Sequence, residues 1–333
     1  MQRVNCHETS AGRCIYSFQV EAFPTLVANI YLVDDGDRLI LIDTGSGLEQ
    51  SNEEFLAGFA ALRARYGVSF SPTDLDLILI THAHMDHFGG LPFVRTLTDA
   101  PIGAHILDRR VLSHYEERIV VATKRLETFL ERAGVGDTHR QTLMRIYLFA
   151  KGIYRSTPVD FLLEDGEPVA GIIPHHVPGH CPGQVCLQVD DILLTADHVL
   201  SRTTPHQAPE AITLNTGLGH YLASLEKIGQ VEGIALALGG HEAPMPDLQG
   251  RIRAIQALHE ARLQRVLELC AEPASVADVS RALFGEVDSY HVLLALEEAG
   301  AHVEYLYQRG ELVAVNLDEI EQERNPTILY RRT

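Results

Sequence analysis

The 333-residue sequence predicts a layered α/β domain followed by a smaller, mostly helical one. Three observations carry this. Apolar strand-like runs fall into two groups, one before about residue 105 and one from about 156 to 247. Between them, 105–156 is charged and helix-favouring, as in "RRVLSHYEERIVVATKRLETFLERAG". From 248 the texture turns helical again, with a short strand-like end. The predicted domains are therefore 1–247, with a helical insert over about 105–156, and 248–333.

Taken in order, "ANIYLVDDGDRLILIDTGSG" (28–47) reads as two apolar strands around a "DDGD" turn. "SNEEFLAGFAALRARYG" has Ser51 and Glu54 at capping-box spacing, Phe55, Phe59 and Leu62 at helical spacing, and Gly67 as its stop. "TDLDLILI" and "APIGAHI" are short strands. Past the insert, "VDFLLEDGEPV", "AGIIPHHVPG", "QVCLQVDDILLTAD" and "GIALALGG" restore the strand pattern. In the last domain Leu263, Val266, Leu267 and Cys270 form one helical stripe, and "SVADVSRALFG" a short second helix. Val292, Leu296, Ala299, Val303 and Leu306 form a third, ending at Gly310 before "ELVAV". Three helices and a hairpin-like tail make a winged-helix pattern.

Charge bounds the partners. There are 27 Lys plus Arg against 45 Asp plus Glu, a net charge of −18, which repels polyanions at long range. The insert reverses the balance, with ten basic and six acidic residues; it is either a solvated helix face or a lid attracting an anionic small-molecule substrate. Residues 251–333 hold nine basic and fourteen acidic residues, and the third helix has almost no basic residues near its start, where phosphate contact would be needed. Nucleic acid is not an expected partner, and the last domain reads as packing, lid or dimer surface, with a homodimer as a candidate assembly. Five scattered cysteines without CxxC fit reduced thiols in a cytoplasm. No stretch approaches roughly 18 apolar residues and "MQRVNCHETSAGRC" has no signal-like apolar core, so a soluble cytoplasmic protein without membrane contact is expected.

The chemistry is concentrated in "THAHMDHFGG", directly after an apolar run, where His82, His84, Asp86 and His87 crowd together. Burying an unpaired polar side chain costs roughly 2–7 kcal/mol, so such a cluster is a solvated loop or a metal site. His82 and His84, two apart at a strand end, point the same way. "HVPGHCPGQ" adds His180, "LLTADHVL" adds Asp197 and "LALGGHEAP" adds His241, each at or just after a strand end. Five imidazoles and two carboxylates suffice for two divalent ions with a bridging carboxylate. Such donors without thiolate suit Zn2+ first, with Fe or Mn as alternatives.

The motif HxHxDH, here "HAHMDH", and the later His, Asp and His in order resemble the metallo-β-lactamase superfamily over roughly residues 15–245. The resemblance implies an αββα four-layer sandwich with its site along one edge of two sheets. It further implies one metal on His82, His84 and His180, a second on Asp86, His87 and His241, and Asp197 between them. The tail resembles the winged-helix extension of a bacterial and mitochondrial branch. Asp197 stands where antibiotic-destroying members carry cysteine, so the chain resembles the glyoxalase, lactonase and RNA-processing branches instead. "GGHEAP" departs from the commoner "GHG".

The reading that fits best is a dinuclear metallohydrolase. A metal-bridging hydroxide would act on a small ester, thioester or lactone, and Asp86 would serve as both ligand and proton shuttle. The alternatives are a nuclease or phosphodiesterase of the same fold, an iron-dependent dioxygenase of a thiol substrate, and a winged-helix DNA-binding regulator. Asp43, ending a strand in "LIDTGSG", is expected to orient a ligand histidine. His198 and Tyr221 are pocket candidates, against the plainer expectations of a loop histidine and a helix core contact; His206 is read like His198. Cys181 is expected to be a buried, inert thiol.

Overall fold

The computed structural model describes residues 3–333. Seven strands form one sheet in sequence order: β1 (Val4–Glu8), β2 (Cys14–Phe23), β3 (Leu26–Asp34), β4 (Leu39–Ile42), β5 (Leu77–Leu79), β6 (Ile102–His105) and β7 (Phe161–Leu163). Pairing is antiparallel from β1 to β4 and parallel from β4 to β7. A second sheet has the order β11 (Leu236–Gly239), β10 (Ile192–Ala196), β9 (Val185–Val189), β8 (Ile173–His176). Its β10–β11 pair is parallel.

One apolar core joins the two sheets. Ile15, Tyr31, Val33, Ile40, Ile42 and Leu79 from the first meet Val185, Leu187, Val189, Ile192, Leu194 and Leu238 from the second. The alternation of strand side chains then sends Tyr16 and Phe18 of β2 to the opposite face. There Phe18 meets Phe55 and Phe59 of helix α1 (Glu49–Tyr66), which covers the sheet. β1 and β2 lie outside the strands that the sequence suggested, which begin at residue 28. The predicted capping box at Ser51 and Glu54 is also corrected: α1 starts at Glu49, with Leu48 at the N-cap and no side-chain cap. Gly67 does close α1, at φ 70°.

Short helices follow the strands of the first sheet: α2 (Met85–Phe88), α3 (Leu91–Val94) and α4 (Ile106–Ser113). Then come α5 (Tyr115–Arg132), α6 (Asp137–Lys151), α7 (Leu218–Gly229), α8 (Leu248–Leu269), α9 (Val276–Phe284) and α10 (His291–Gln308). The chain ends with β12 (Leu312–Ala314), α11 (Leu317–Gln322) and β13 (Tyr330–Arg332), the two strands pairing antiparallel.

Two compact units result. One holds the residues up to Tyr115, Tyr154–Pro205 and Glu226–Ile252; the other holds Glu116–Ile153, His206–Leu225 and Arg253–Thr333. This grouping differs from a single cut at residue 247, because the end of α5 is bonded to C-terminal residues. The Ala277 amide donates to the Ala133 carbonyl, the Ile328 amide to the Arg132 carbonyl, and Asn325 to Glu131. All five cysteines are free thiols. Among the described residues no helix is long and apolar enough to cross a membrane.

Candidate metal centre

All seven expected ligands come together in the first unit. His82 and His84 leave the end of β5, and Asp86 and His87 sit on the single turn of α2. His180 lies in the β8–β9 loop, Asp197 follows β10 and His241 follows β11. They form two groups, His82–His84–His180 and Asp86–His87–Asp197–His241, with the ligand atoms of each within 4.8 Å of one another. In the first group His82 Nε2 and His84 Nδ1 stand 3.1 Å apart. Asp197 reaches both groups: its Oδ2 is 3.8 Å from His180 Nε2 and 3.3 Å from His241 Nε2, and its Oδ1 is 3.5 Å from His87 Nε2. Asp86 Oδ2 lies 3.3 Å from His241 Nε2.

Each of three rings is aimed by its other nitrogen, as metal-binding imidazoles are. His87 Nδ1 donates to Asp43 Oδ2 at 2.7 Å, and His241 Nδ1 to the Val27 carbonyl at 2.6 Å. His82 Nδ1 contacts Thr81 Oγ1 at 3.1 Å. Asp43 thus lies against one of the candidate ligand histidines; it also accepts from the Thr81 amide and hydroxyl at 2.8 and 2.7 Å. Its φ of 61° is strained for a non-glycine residue, a cost of order 1–3 kcal/mol that the surrounding bonds must hold in place. The "GG" of "GGHEAP" also has a cause. A Cβ on Gly240 would lie 2.5 Å from Asp197 Oδ1 and 2.7 Å from His87 Cε1, so only glycine lets this loop pass.

The field favours cations. Burial lowers the His87 imidazole, but Asp197, Asp43 and Asp86 outweigh it and lift it to about 10. Burial likewise opposes charge on His241, and Asp197 and Asp86 raise it to about 12. His82, buried and facing His87 and His84, is held well below its usual value and stays neutral. A divalent ion fits here. His87 Nε2 is buried without a hydrogen-bond partner, the rings are fixed, and imidazole plus carboxylate is a donor set for zinc, iron or manganese.

The remaining candidates separate. His198 is fully buried rather than a surface residue, and its amide donates to the Thr195 carbonyl. Tyr221 belongs to the other unit, where its buried ring meets His259 edge-on, a core contact. His206, also in that unit, lies 3.4 Å from Glu297. Cys181 is buried, and burial followed by Asp108 pushes its thiol well up, as an inert thiol requires. Sequence reasoning missed Asp108, whose buried carboxylate accepts the amides of Ala83 and Gly183. It also missed Gln184, whose carboxamide, once turned so that its oxygen faces them, accepts the amides of His198 and Asp197 at 2.6 and 3.1 Å. Asp108 stands in no motif with ligand spacing, and Gln184 closes "HVPGHCPGQ" as a carboxamide, which carries no metal-ligand signal.

Comparison with known proteins agrees with this geometry. Residues 24–269 match the metallo-beta-lactamase superfamily, and residues 263–320 match the metallo-beta-lactamase-like C-terminal domain. The chain belongs to the metallo-β-lactamase superfamily and is a metallohydrolase of that fold. It is similar to the human acyl-coenzyme A thioesterase MBLAC2, 29% identical over 52% of this chain and 58% of the relative. It is also similar to the atrochrysone carboxyl ACP thioesterase dmxR1 of Cryptosporiopsis, 24% identical over 77% of this chain and 61% of the relative. Among solved structures it resembles a metallo-beta-lactamase family protein of Thermus thermophilus. That match has a TM-score of 0.74 and 25% identity, covering 96% of this chain and 98% of the other.

Proposed function

We propose that this enzyme is a dinuclear metal-dependent thioesterase that removes an acyl group from a thiol carrier, coenzyme A or an acyl carrier protein. The observation that carries the reaction class is the pair of adjoining ligand groups sharing Asp197. The substrate class is supported by two relatives that are named thioesterases. The excess of basic residues in 105–156 suits a phosphate-bearing carrier.

His82, His84 and His180 would hold one ion, and Asp86, His87 and His241 the other, with Asp197 to both. When bound, such ions supply Lewis acidity toward the thioester carbonyl and a water of lowered pKa. Hydrolysis forms a bond from water oxygen to the acyl carbon, breaks the C–S bond and moves a proton to the leaving sulfur. Asp86 would take that proton and return it to the thiolate. Asp43 and the Val27 carbonyl keep His87 and His241 from turning during the cycle.

The test is release of free thiol by metal-loaded protein from short- and long-chain acyl-coenzyme A and an acyl carrier protein. A lactone, an oxygen ester and a phosphodiester are run alongside. Thioesters should be the fastest class, and chelation should abolish turnover. Phosphodiester cleavage without thiol release, or dioxygen uptake with a thiol substrate, would replace this reading with the nuclease or the dioxygenase.

A further inference from the structure

We infer that Asp108 is a positioning residue for the His82–His84–His180 site, a single buried carboxylate that ties the two ligand loops of that site into one frame. The inference rests on the reading that these three histidines hold a metal. Asp108 is 1% exposed and sits in the first turn of α4. Its Oδ2 accepts the amide of Ala83, the residue between His82 and His84, at 2.8 Å. Its Oδ1 accepts the amide of Gly183 at 2.8 Å, three residues past His180. The thiol of Cys181, next to His180, lies 3.4 Å from Oδ2 and 3.6 Å from Oδ1.

The two loops are far apart in sequence and meet directly in one flanking backbone bond, the Val185 amide to the Thr81 carbonyl at 2.9 Å; Asp108 adds a tie between the ligand positions themselves. A buried carboxylate is costly unless its oxygens are satisfied, and charge-assisted bonds to backbone amides are about twice as strong as neutral ones. Asp108 directs both oxygens at the ligand loops themselves. The approach of the 180–184 loop is so close that a Cβ on Gly183 would come 2.6 Å from Asp108 Cγ. The same loop is held from a second side, where His176 Nε2 donates to the Pro182 carbonyl at 2.8 Å. The carboxylate of Asp108 therefore sets the spacing of three imidazoles without touching an ion.

Asp108→Asn keeps the volume but provides one accepting oxygen for two amides, so one loop is released. Groups that orient metal ligands typically contribute 10–100-fold in metal affinity. The experiment is chelator competition on zinc-loaded wild type, Asp108→Asn and Gly183→Ala, with zinc counted per chain and far-ultraviolet circular dichroism recorded on the metal-free forms. The expected result is two zinc equivalents in wild type. In each variant one equivalent should be lost at a chelator concentration about 10–100-fold lower while the other is unchanged. Gly183→Ala leaves the carboxylate in place and pushes the loop off it, so it carries the test if Asp108→Asn does not fold. Two equivalents of unchanged affinity in a folded variant overturn the inference, as does equal weakening of both, which marks a merely structural role. A wild type that binds no zinc, iron or manganese overturns the metal reading itself, a different failure.

Discussion

Asp86 carries opposing demands in one carboxylate. It is buried, which alone would raise its pKa, yet His87 and His241 hold it well below the usual carboxylate range. It is therefore an anion at neutral pH, suited to a cation first and to a proton only transiently. Asp86→Asn keeps the size and one coordinating oxygen but removes charge and basicity. With metal restored and occupancy checked, kcat should fall on the order of 10²–10⁴-fold. Near-normal turnover with both ions present would remove Asp86 from the chemistry. At this scale the candidate ligands were legible because they are chemically conspicuous at strand ends: His82, His84 and His87 in one motif, His180, Asp197 and His241 after later apolar runs. Their supports were not legible. The Val27 carbonyl that aims His241 is 214 residues away from it, and a backbone oxygen leaves no mark in composition. Asp108 was hidden among the charges of the insert, where one acid in a first helical turn looks like any other.

The element α1 shows how a correct segment can be right for a wrong local reason. Its apolar spacing and glycine stop are as expected, but Ser51 and Glu54 do not cap it. Ser51, 1% exposed, accepts the Ser46 amide at 3.2 Å and so braces the loop following Asp43. Glu54 accepts the Glu21 amide at 2.5 Å, reaching the neighbouring strand at an exposed position. Ser51→Ala leaves a buried amide unpaired and should destabilise by about 1–3 kcal/mol, while Glu54→Gln should cost less than about 1 kcal/mol. Urea titrations of both variants decide this; equal losses would show that the Ser51–Ser46 bond contributes no more than the exposed one of Glu54. In the C-terminal unit, α8 and α10 meet through a buried histidine pair, His259 Nδ1 to His302 Nε2 at 3.1 Å. Burial, then His302 and Arg262, lowers His259 to about 3. Burial, and Arg262 against the Glu298 carbonyl, lowers His302 to about 4. Both rings are neutral when folded and would charge near 6.5 when unfolded. The stability they contribute is present above pH 6.5 and lost as pH falls toward 4–3. His302→Gln should therefore flatten the fall of melting temperature between pH 6.5 and 4 relative to wild type; an unchanged slope would show that the pair does not titrate on unfolding.

For the whole molecule, the acidic charge and the strands from β3 to β11 followed from composition and pattern, while β1 and β2 did not. The grouping of α5 and α6 with the C-terminal residues did not, because it depends on which distant backbone groups pair. That folding also creates a third cluster, His259, Glu298 and His302, with metal-binding composition. Here the chemistry differs from the catalytic unit. Arg262 lies 2.8 Å from Glu298 Oε1, the Gln207 amide donates to Oε2 at 2.7 Å, and His302 Nδ1 donates to the Glu298 carbonyl at 2.7 Å. A guanidinium already neutralises the carboxylate, and a dication beside it would be repelled. The two candidate groups of the first unit instead place Asp86, Asp197 and Asp43 around histidines, with no arginine or lysine among the ion pairs of these carboxylates. Charge, rather than residue composition, is therefore expected to set the stoichiometry. Elemental analysis of metal-loaded protein should give two ions per chain, not three. Asp197→Ala, which removes the carboxylate reaching both groups, should lose at least one, while Glu298→Gln should lose none. Because a ligand bound only by the folded state stabilises it by about 4 kcal/mol at a thousandfold excess over Kd, chelation should lower the melting temperature of wild type by several degrees. That drop should be smaller in Asp197→Ala. Three ions in wild type, or loss of one in Glu298→Gln, would show that the third cluster binds metal despite Arg262.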